Sequence, residues 1–276
     1  MSASLHDSYK VALQWHLDAG ADEALQDTPN DRTVSAVKIV KSSVSALRAP
    51  EPANAPDLMG AASAKAEAQK LAAVCKTLDE LKTAIAAFEG LAIRKTATNL
   101  VFADGNPAAR VMVIGEAPGA DEDKIGKPFA GPNGLLLDKI LKCINLSRTD
   151  EDPAKAAYLT NILNWRPPGG RTPTAAELDV SLPFIERHIA LAQPDFVLLL
   201  GGVAAKALLG SGEAISKLRG KFTEYKPLTA GISERALTTA VATYHPSYLL
   251  ANPSQKGLVW ADMLMLQGAL LGHIKT

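Results

Sequence analysis

The chain has 276 residues, of which 47% are hydrophobic, and its 29 basic side chains are balanced by 29 acidic ones. This length and composition are typical of a globular protein with one large domain and an appendage, or with two small domains. A formal net charge of zero excludes a protein that coats nucleic acid through charge alone, although a local basic groove remains compatible with it. Cys75 and Cys143 lack metal-ligand spacing and are typical of a reducing compartment. No signal-peptide pattern or membrane-length apolar run occurs, so we predict a cytoplasmic protein without membrane association.

The N-terminal quarter is predicted to lie outside the main domain. Residues 1–27 are expected to form a helical extension, because large apolar side chains recur at helical spacing from Leu5 to Leu17. Residues 28–63 are rich in Pro and Ala and predict a linker that is partly disordered. The main domain is therefore expected to span residues 64–276.

Strand and helix patterns alternate along this main domain, after an Ala-rich helical pattern over residues 64–87. The predicted strands are ARVMVIGEA, AAYLTNILNW, PDFVLLLGG and ALTTAVATYHPS, and the helices between and after them include GLLLDKILKCINL, TAAELDVSLPFIERHIALAQ and GLVWADMLMLQGALLGHI. This order predicts an α/β fold with three αβα layers around a central, mostly parallel four-stranded sheet. Ligands of such sheets bind beyond the carboxyl ends of the strands, so the loops after Ile114, Ile162, Leu200 and Tyr244 are the candidate site.

Those loops carry chemically distinctive residues. The loop GEAPGADEDKIGKPFAG holds Glu116 and Glu122, but it contains neither nucleotide-binding glycine fingerprint, and the chain has no G-x-S-x-G, which disfavours a nucleotide-binding enzyme and an α/β hydrolase. Asn161 precedes the turn RPPGGRTP, and His245 stands at the end of the last strand. Each residue alone also fits a structural role. Together they predict a pocket for a polar planar ring attached to a polyanion.

Four ordered segments resemble family 4 uracil-DNA glycosylases: GEAPGADEDKIGKPFAGPNGLLLDKIL, YLTNILNWRPPGGRTPTAAEL, PDFVLLLGGVAAKALLG and HPSYLLANPSQKGLVWADMLML. The similarity runs from about Phe88 to Leu271. It implies a monofunctional DNA repair enzyme that flips uracil out of DNA and hydrolyses its N-glycosidic bond, leaving an abasic site. The implied partner is uracil-containing DNA, single- or double-stranded, and we expect a monomer.

The resemblance also implies roles for individual residues around the base. Asn161 would read N3–H and O4 of uracil, His245 would donate to O2, and Glu122 is favoured over Glu116 for holding the attacking water. The catalytic set is thus Glu116, Glu122, Asn161 and His245, and the substrate-binding set is Ala117, Phe129, Asn161 and His245, with Phe129 stacking on the base.

The resemblance assigns DNA contacts to the turns around this pocket. Tyr248 and Leu249 would insert into the duplex in place of the extruded nucleotide. The expected DNA-binding set is Arg166, Arg171, Ser247, Tyr248, Leu249 and Lys256.

One departure from the family is large. Family 4 enzymes hold an iron–sulfur cluster with four cysteines, and the matching positions here are Phe88, Leu91, Trp165 and Ser181. None of these side chains is a thiolate, so we predict an enzyme with no cluster and no cofactor. The alternative is a catalytically weak or inactive damaged-DNA binding module of the same fold. The retained Glu, Asn and His positions disfavour it.

Overall fold

The part of the chain described here comprises residues 60–232 and 238–272 of a computed structural model. The described residues belong to one unit, Asn54–Thr276. The predicted helical extension over residues 1–27 and nearly all of the predicted linker over residues 28–63 lie outside the described residues. The domain boundaries therefore remain predictions.

A six-stranded mixed sheet forms the middle layer, in the order β1-β3-β2-β4-β6-β5. The central strands β3, β2, β4 and β6 run parallel, whereas β1 and β5 pair antiparallel at the two edges. The predicted four-stranded parallel core is confirmed, and the sheet is two strands wider than predicted. The strands are β1 (Asp104–Gly105), β2 (Val111–Gly115), β3 (Ala157–Asn161), β4 (Phe196–Leu200), β5 (Phe222–Tyr225) and β6 (Thr238–Thr243).

The parallel strands are apolar along their whole length because helices cover both faces of the sheet. Successive side chains of a strand point to opposite faces. Val111 and Val113 of β2 accordingly pack in one buried cluster, and Met112 and Ile114 pack in the other.

Helices flank the sheet in two layers, so the predicted αβα arrangement is confirmed. Helices α1, α2, α5 and α6 contribute to the cluster on one face, and α4, α8 and α9 to the cluster on the other. None of the described helices is long and apolar enough to cross a membrane. The helices are α1 (Ala61–Val74), α2 (Leu78–Ala87), α3 (Ala120–Ile125), α4 (Gly131–Lys142), α5 (Ala175–Ala192), α6 (Gly202–Leu209), α7 (Ile215–Leu218), α8 (Pro246–Ala251) and α9 (Lys256–Leu270).

Local capping explains where two of these helices begin. The Ala-rich pattern over residues 64–87 forms two helices rather than one, because the Thr77 side chain accepts a hydrogen bond from the Glu80 backbone N–H and starts α2. Thr174 and Glu177 form a reciprocal capping box at the start of α5. This second cap fixes the turn that follows the site strand β3.

A buried histidine makes the stability of the fold depend on pH. His188 on α5 is 1% exposed, stacks on Phe102 with ring centroids 4.5 Å apart, and shares a 2.8 Å hydrogen bond with the Tyr158 hydroxyl. Burial lowers the pKa of His188 to about 3. The unfolded chain, with a histidine pKa of about 6.5, therefore binds a proton under mildly acidic conditions that the folded chain does not bind.

We expect His188 to remove about 2 kcal/mol from the free energy of unfolding between about pH 7 and about pH 5. The unfolded state binds more protons than the folded state. The stability is therefore fully present above the unfolded pKa of the histidine and is lost as the pH decreases below it. Urea unfolding of wild type and His188→Gln at both pH values measures it, since glutamine does not titrate and can still accept from Tyr158. Equal pH dependence in the two proteins would contradict this assignment.

Candidate active site

A cavity of about 480 Å³ lies at the carboxyl edge of the sheet. Glu116 and Ala117 line it from the loop after β2, Gly201 from the end of β4, and His245 and Tyr248 from the loop and helix after β6. Three of the four strand ends singled out by the sequence, those of β2, β4 and β6, thus meet around this cavity, as the parallel topology requires.

Asn161, at the end of β3, does not line this cavity but lies at the same edge of the sheet. Its side chain is 1% exposed, and Nδ2 has no hydrogen-bond partner among the described residues. Asn161 pairs in register with Gly115, where a Cβ would lie 2.4 Å from the Asn161 Oδ1 and 2.7 Å from the Phe129 ring. Glycine at this position lets the amide and the ring approach the strand end together. A buried amide donor without a partner costs free energy, which favours a role in ligand binding.

Phe129 has an uncommon backbone conformation. Its φ of 52° lies in the left-handed region, which costs a bulky residue roughly 1–3 kcal/mol. The ring is buried, and its centroid lies 5.9 Å from that of the His245 ring at an interplanar angle of 32°. Holding an aromatic ring next to the imidazole therefore lowers the stability of the fold.

Glu122 helps to hold that conformation. Its two carboxylate oxygens accept hydrogen bonds from the backbone N–H groups of Gly119, at 2.6 Å, and Phe129, at 2.5 Å. Burial raises the pKa of Glu122, while these two backbone bonds and the nearby Asn161 side chain lower it. The Asn161 side chain thus lies close enough to act on the carboxylate, although its Nδ2 is outside hydrogen-bond geometry. Both oxygens serve the loop, so the predicted preference for Glu122 as the water-holding group is not supported.

Glu116 is better placed for chemistry in the cavity. It is half-buried and lines the cavity wall together with His245. Burial raises the pKa of the Glu116 carboxyl. Of the two acids singled out by the sequence, Glu116 faces the space where a ligand fits.

The surroundings of His245 define its protonation state. Burial lowers the pKa of His245 to about 4, so the ring is neutral near pH 7. Nδ1 accepts a 3.2 Å hydrogen bond from the Ser247 backbone N–H and lies 2.8 Å from the Ser247 hydroxyl. A neutral ring with Nδ1 as acceptor carries its proton on Nε2. Gly201, at φ 90°, permits the close approach, since a Cβ there would lie 3.2 Å from His245 Cβ.

The prediction that Leu249 inserts into DNA is wrong. Leu249 is fully buried and packs in the core cluster of α4 and α9, because the first turn of α8 directs it inward. A side chain committed to the core cannot enter a base stack. Its neighbours Tyr248 and Leu250 are 42% and 47% exposed and present the apolar surface of this turn.

The side chains predicted to contact phosphates differ in whether they are already paired within the protein. Arg171 is engaged by both carboxylate oxygens of Glu177, at 2.6 and 2.8 Å, so its positive charge is matched within the turn and the predicted phosphate contact is not supported. Arg166 is half-buried with an unpartnered Nε among the described residues, and Ser247 and Lys256 are exposed. Arg166, Ser247, Lys256 and Tyr248 remain predicted DNA contacts.

The residues at the four cysteine positions do not fit an iron–sulfur cluster. Phe88, Leu91 and Trp165 are buried in the same core cluster, and Phe88 meets Phe184 edge-on at 5.2 Å. Ser181 is also buried. Hydrocarbon and indole groups supply no iron ligand. Within residues 60–232 and 238–272, no group of three or more His, Cys, Asp or Glu side chains could hold a metal ion.

Part of the cavity wall was not predicted from the sequence. Ile215 and Ser216 of α7 line the cavity, as does Tyr244. Helix α7 has only four residues, too few to show an amphipathic period. Tyr244 could have been predicted to line the cavity, because it directly precedes His245.

Comparisons with known proteins define the class. The model of the uracil DNA glycosylase superfamily matches residues 102–264, so the chain belongs to this superfamily. Relatives described as type-4 uracil-DNA glycosylases include one from Pyrobaculum aerophilum, 33% identical over 180 residues that cover 64% of this chain and 86% of the relative. Another from Archaeoglobus fulgidus is 32% identical over 182 residues, covering 64% and 85%, and one from Thermotoga maritima is 34% identical over 160 residues, covering 58% and 76%.

The resemblance to family 4 is thereby confirmed, and with it the predicted enzyme class, a hydrolase of N-glycosyl bonds.

Proposed function

We propose that this protein is a monofunctional uracil-DNA glycosylase that extrudes uracil from DNA and hydrolyses its glycosidic bond without an iron–sulfur cluster. The observation that carries the proposal is the Asn161 Nδ2, which is buried, has no hydrogen-bond partner among the described residues and lies at the same strand end as the Phe129 ring, itself 5.9 Å from the His245 ring. A glycosylase reads an extruded base by hydrogen bonds to its edge and by stacking on an aromatic ring, and this edge of the sheet offers both.

Asn161 supplies the specificity. Its Nδ2 donates to O4 of uracil while Oδ1 accepts from N3–H, which is the pattern that uracil presents and cytosine reverses. Phe129 provides the stacking surface. Asn161 is buried and lies opposite Gly115, whose missing side chain leaves room for the amide beside the Phe129 ring.

His245 stabilises the leaving group. Breaking the bond between C1′ and N1 leaves the electron pair on the uracil ring, where negative charge collects on O2. Nε2–H of the neutral imidazole donates to O2 as this charge develops, and the Ser247 contacts at Nδ1 keep the proton on Nε2.

Glu116 acts on the other side of the breaking bond. Its carboxylate lies at the cavity wall, where it stabilises the cationic sugar and orients the water that adds to C1′. The water's proton leaves to solvent or to this carboxylate, and the product is an abasic site. Ala117 beside Glu116 leaves room for the sugar.

DNA is held by the turns around the cavity. Tyr248 and Leu250 present apolar surface to the gap left by the extruded nucleotide, and Arg166, Ser247 and Lys256 contact phosphates. The protein acts as a monomer in the cytoplasm under this proposal.

Packing replaces the cluster. Phe88 packs edge-on against Phe184 of α5, Leu91 is buried in the same core cluster, and Trp165, also in that cluster, anchors the loop after β3. The loop that follows Asn161 is thus fixed by apolar burial rather than by metal ligation.

The test is excision from matched oligonucleotides that carry uracil, hypoxanthine or thymine at one position. We expect alkali-labile abasic sites from uracil and none from thymine, equal rates with and without chelator, and no iron in the purified protein. DNA binding without abasic-site formation would instead identify a binding module. Stoichiometric iron with chelator-sensitive activity would overturn the cluster-free proposal.

A further inference from the structure

Arg148 lies in the segment before β3 and reaches the backbone of the Phe129 loop. Its side chain is 12% exposed. Nη1 donates to the Pro128 carbonyl and Nη2 donates to the Phe129 carbonyl, each at 3.1 Å. The guanidinium therefore bridges two successive carbonyls next to the stacking ring.

Two carboxylates hold the guanidinium in this orientation. Nε donates to Asp138 of α4 at 2.7 Å, and Nη1 donates to Asp104 of β1 at 3.3 Å. A planar guanidinium can serve four acceptors on different sides at once, whereas a lysine ammonium cannot reproduce this fork. The aspartates thus tie the loop to a helix and to an edge strand.

The Phe129 backbone is consequently held on both sides of its Cα. Glu122 accepts from its N–H, Arg148 donates to its C=O, and its φ of 52° lies in the left-handed region. Gly134 of α4 completes the enclosure, since a Cβ there would lie 1.6 Å from the Phe129 carbonyl oxygen. A phenylalanine left to itself would relax to negative φ and turn its ring away.

We propose that Arg148 is a positioning residue for base excision, which fixes the plane of the Phe129 ring by clamping its carbonyl. This inference rests on the proposed function. Arg148 does not reach the base and acts only through Phe129. Loosening the clamp leaves DNA contacts in place but misaligns the extruded base, and misplacement of about 1 Å costs roughly a hundredfold in rate.

The experiment compares Arg148→Gln and Arg148→Lys with Arg187→Gln by single-turnover uracil excision, DNA affinity and melting temperature. Arg187 is a matched control because it also bonds carbonyls, of Cys75 and Ile232, but contributes nothing to the cavity. We expect Arg148→Gln to slow excision roughly a hundredfold with DNA affinity within about twofold, and Arg148→Lys to restore only part of the rate. Arg187→Gln should lower the melting temperature without slowing excision at permissive temperature.

A double-mutant cycle separates positioning from general stability. In a Phe129→Ala background, Arg148→Gln should slow excision no further, because the ring it positions is absent. If Arg148→Gln does not fold, Asp138→Asn, which removes one anchor of the guanidinium, should show a smaller rate loss of the same kind. Wild-type rates for Arg148→Gln or Asp138→Asn, additive losses in the cycle, or weakened DNA binding alone would each overturn the inference. Absence of excision by wild type would instead overturn the proposed function.

Discussion

Asn161→Ala is expected to lower the single-turnover rate of uracil excision about a thousandfold while DNA affinity stays within about twofold. The amide is buried, and its Nδ2 has no partner among the described residues. Removing it leaves O4 and N3–H of the extruded base unpaired in a buried site. The substitution therefore weakens recognition of the extruded base and leaves the initial association with DNA unchanged.

Asn164→Ala is the matched control for this variant. Asn164 lies three residues further along, is 7% exposed, and donates from Nδ2 to the Val101 carbonyl at 3.0 Å. Its loss should cost about 1 kcal/mol of stability and leave the excision rate of the folded protein nearly unchanged. Equal rate losses in the two variants, or a normal rate in Asn161→Ala, would remove Asn161 from base recognition.

The features of the fold that depend on the pattern of apolar residues could be predicted from the sequence. Apolar runs such as Val111–Ile114 specify strands covered on both faces, and the alternation of strands and helices predicts a parallel sheet. From that topology alone, Glu116, Asn161 and His245 were expected at one edge, and the structure brings them there. The two edge strands escaped prediction because β1 has two residues and β5 has four, too few to show a period.

What depends on the direction of one side chain could not be read from sequence. Tyr248, Leu249 and Leu250 are adjacent large residues, and only the turn of α8 decides that the middle one enters the core. Glu122 and Arg171 carry the charges expected of functional groups, but their partners are set by how loops fold back in three dimensions. Arg148 lies 19 residues from Phe129 and is part of no recognised motif. Its contact with Phe129 could therefore not be predicted from the sequence.

His245→Ala is expected to slow excision by roughly a hundredfold to a thousandfold, the usual effect of removing one donor to a developing oxyanion. His188→Gln is the matched control, because it replaces another buried histidine that makes no contact with the cavity. Single-turnover rates at saturating enzyme measure the effect, and a rate for His245→Ala within about twofold of wild type would exclude this donor role.

The pH dependence distinguishes a neutral donor from a charged one. With the pKa of His245 lowered to about 4 by burial, the imidazole is already neutral at pH 6 and stays so at pH 8. The wild-type rate should therefore show no loss as pH rises through the usual histidine pKa of about 6.5. An imidazolium donor would instead lose activity about tenfold per pH unit above its pKa, and His245→Ala would abolish that slope. Because Ser247 holds Nδ1 as an acceptor, the Nε2 proton persists over this whole range and the site needs no protonated base to release uracil.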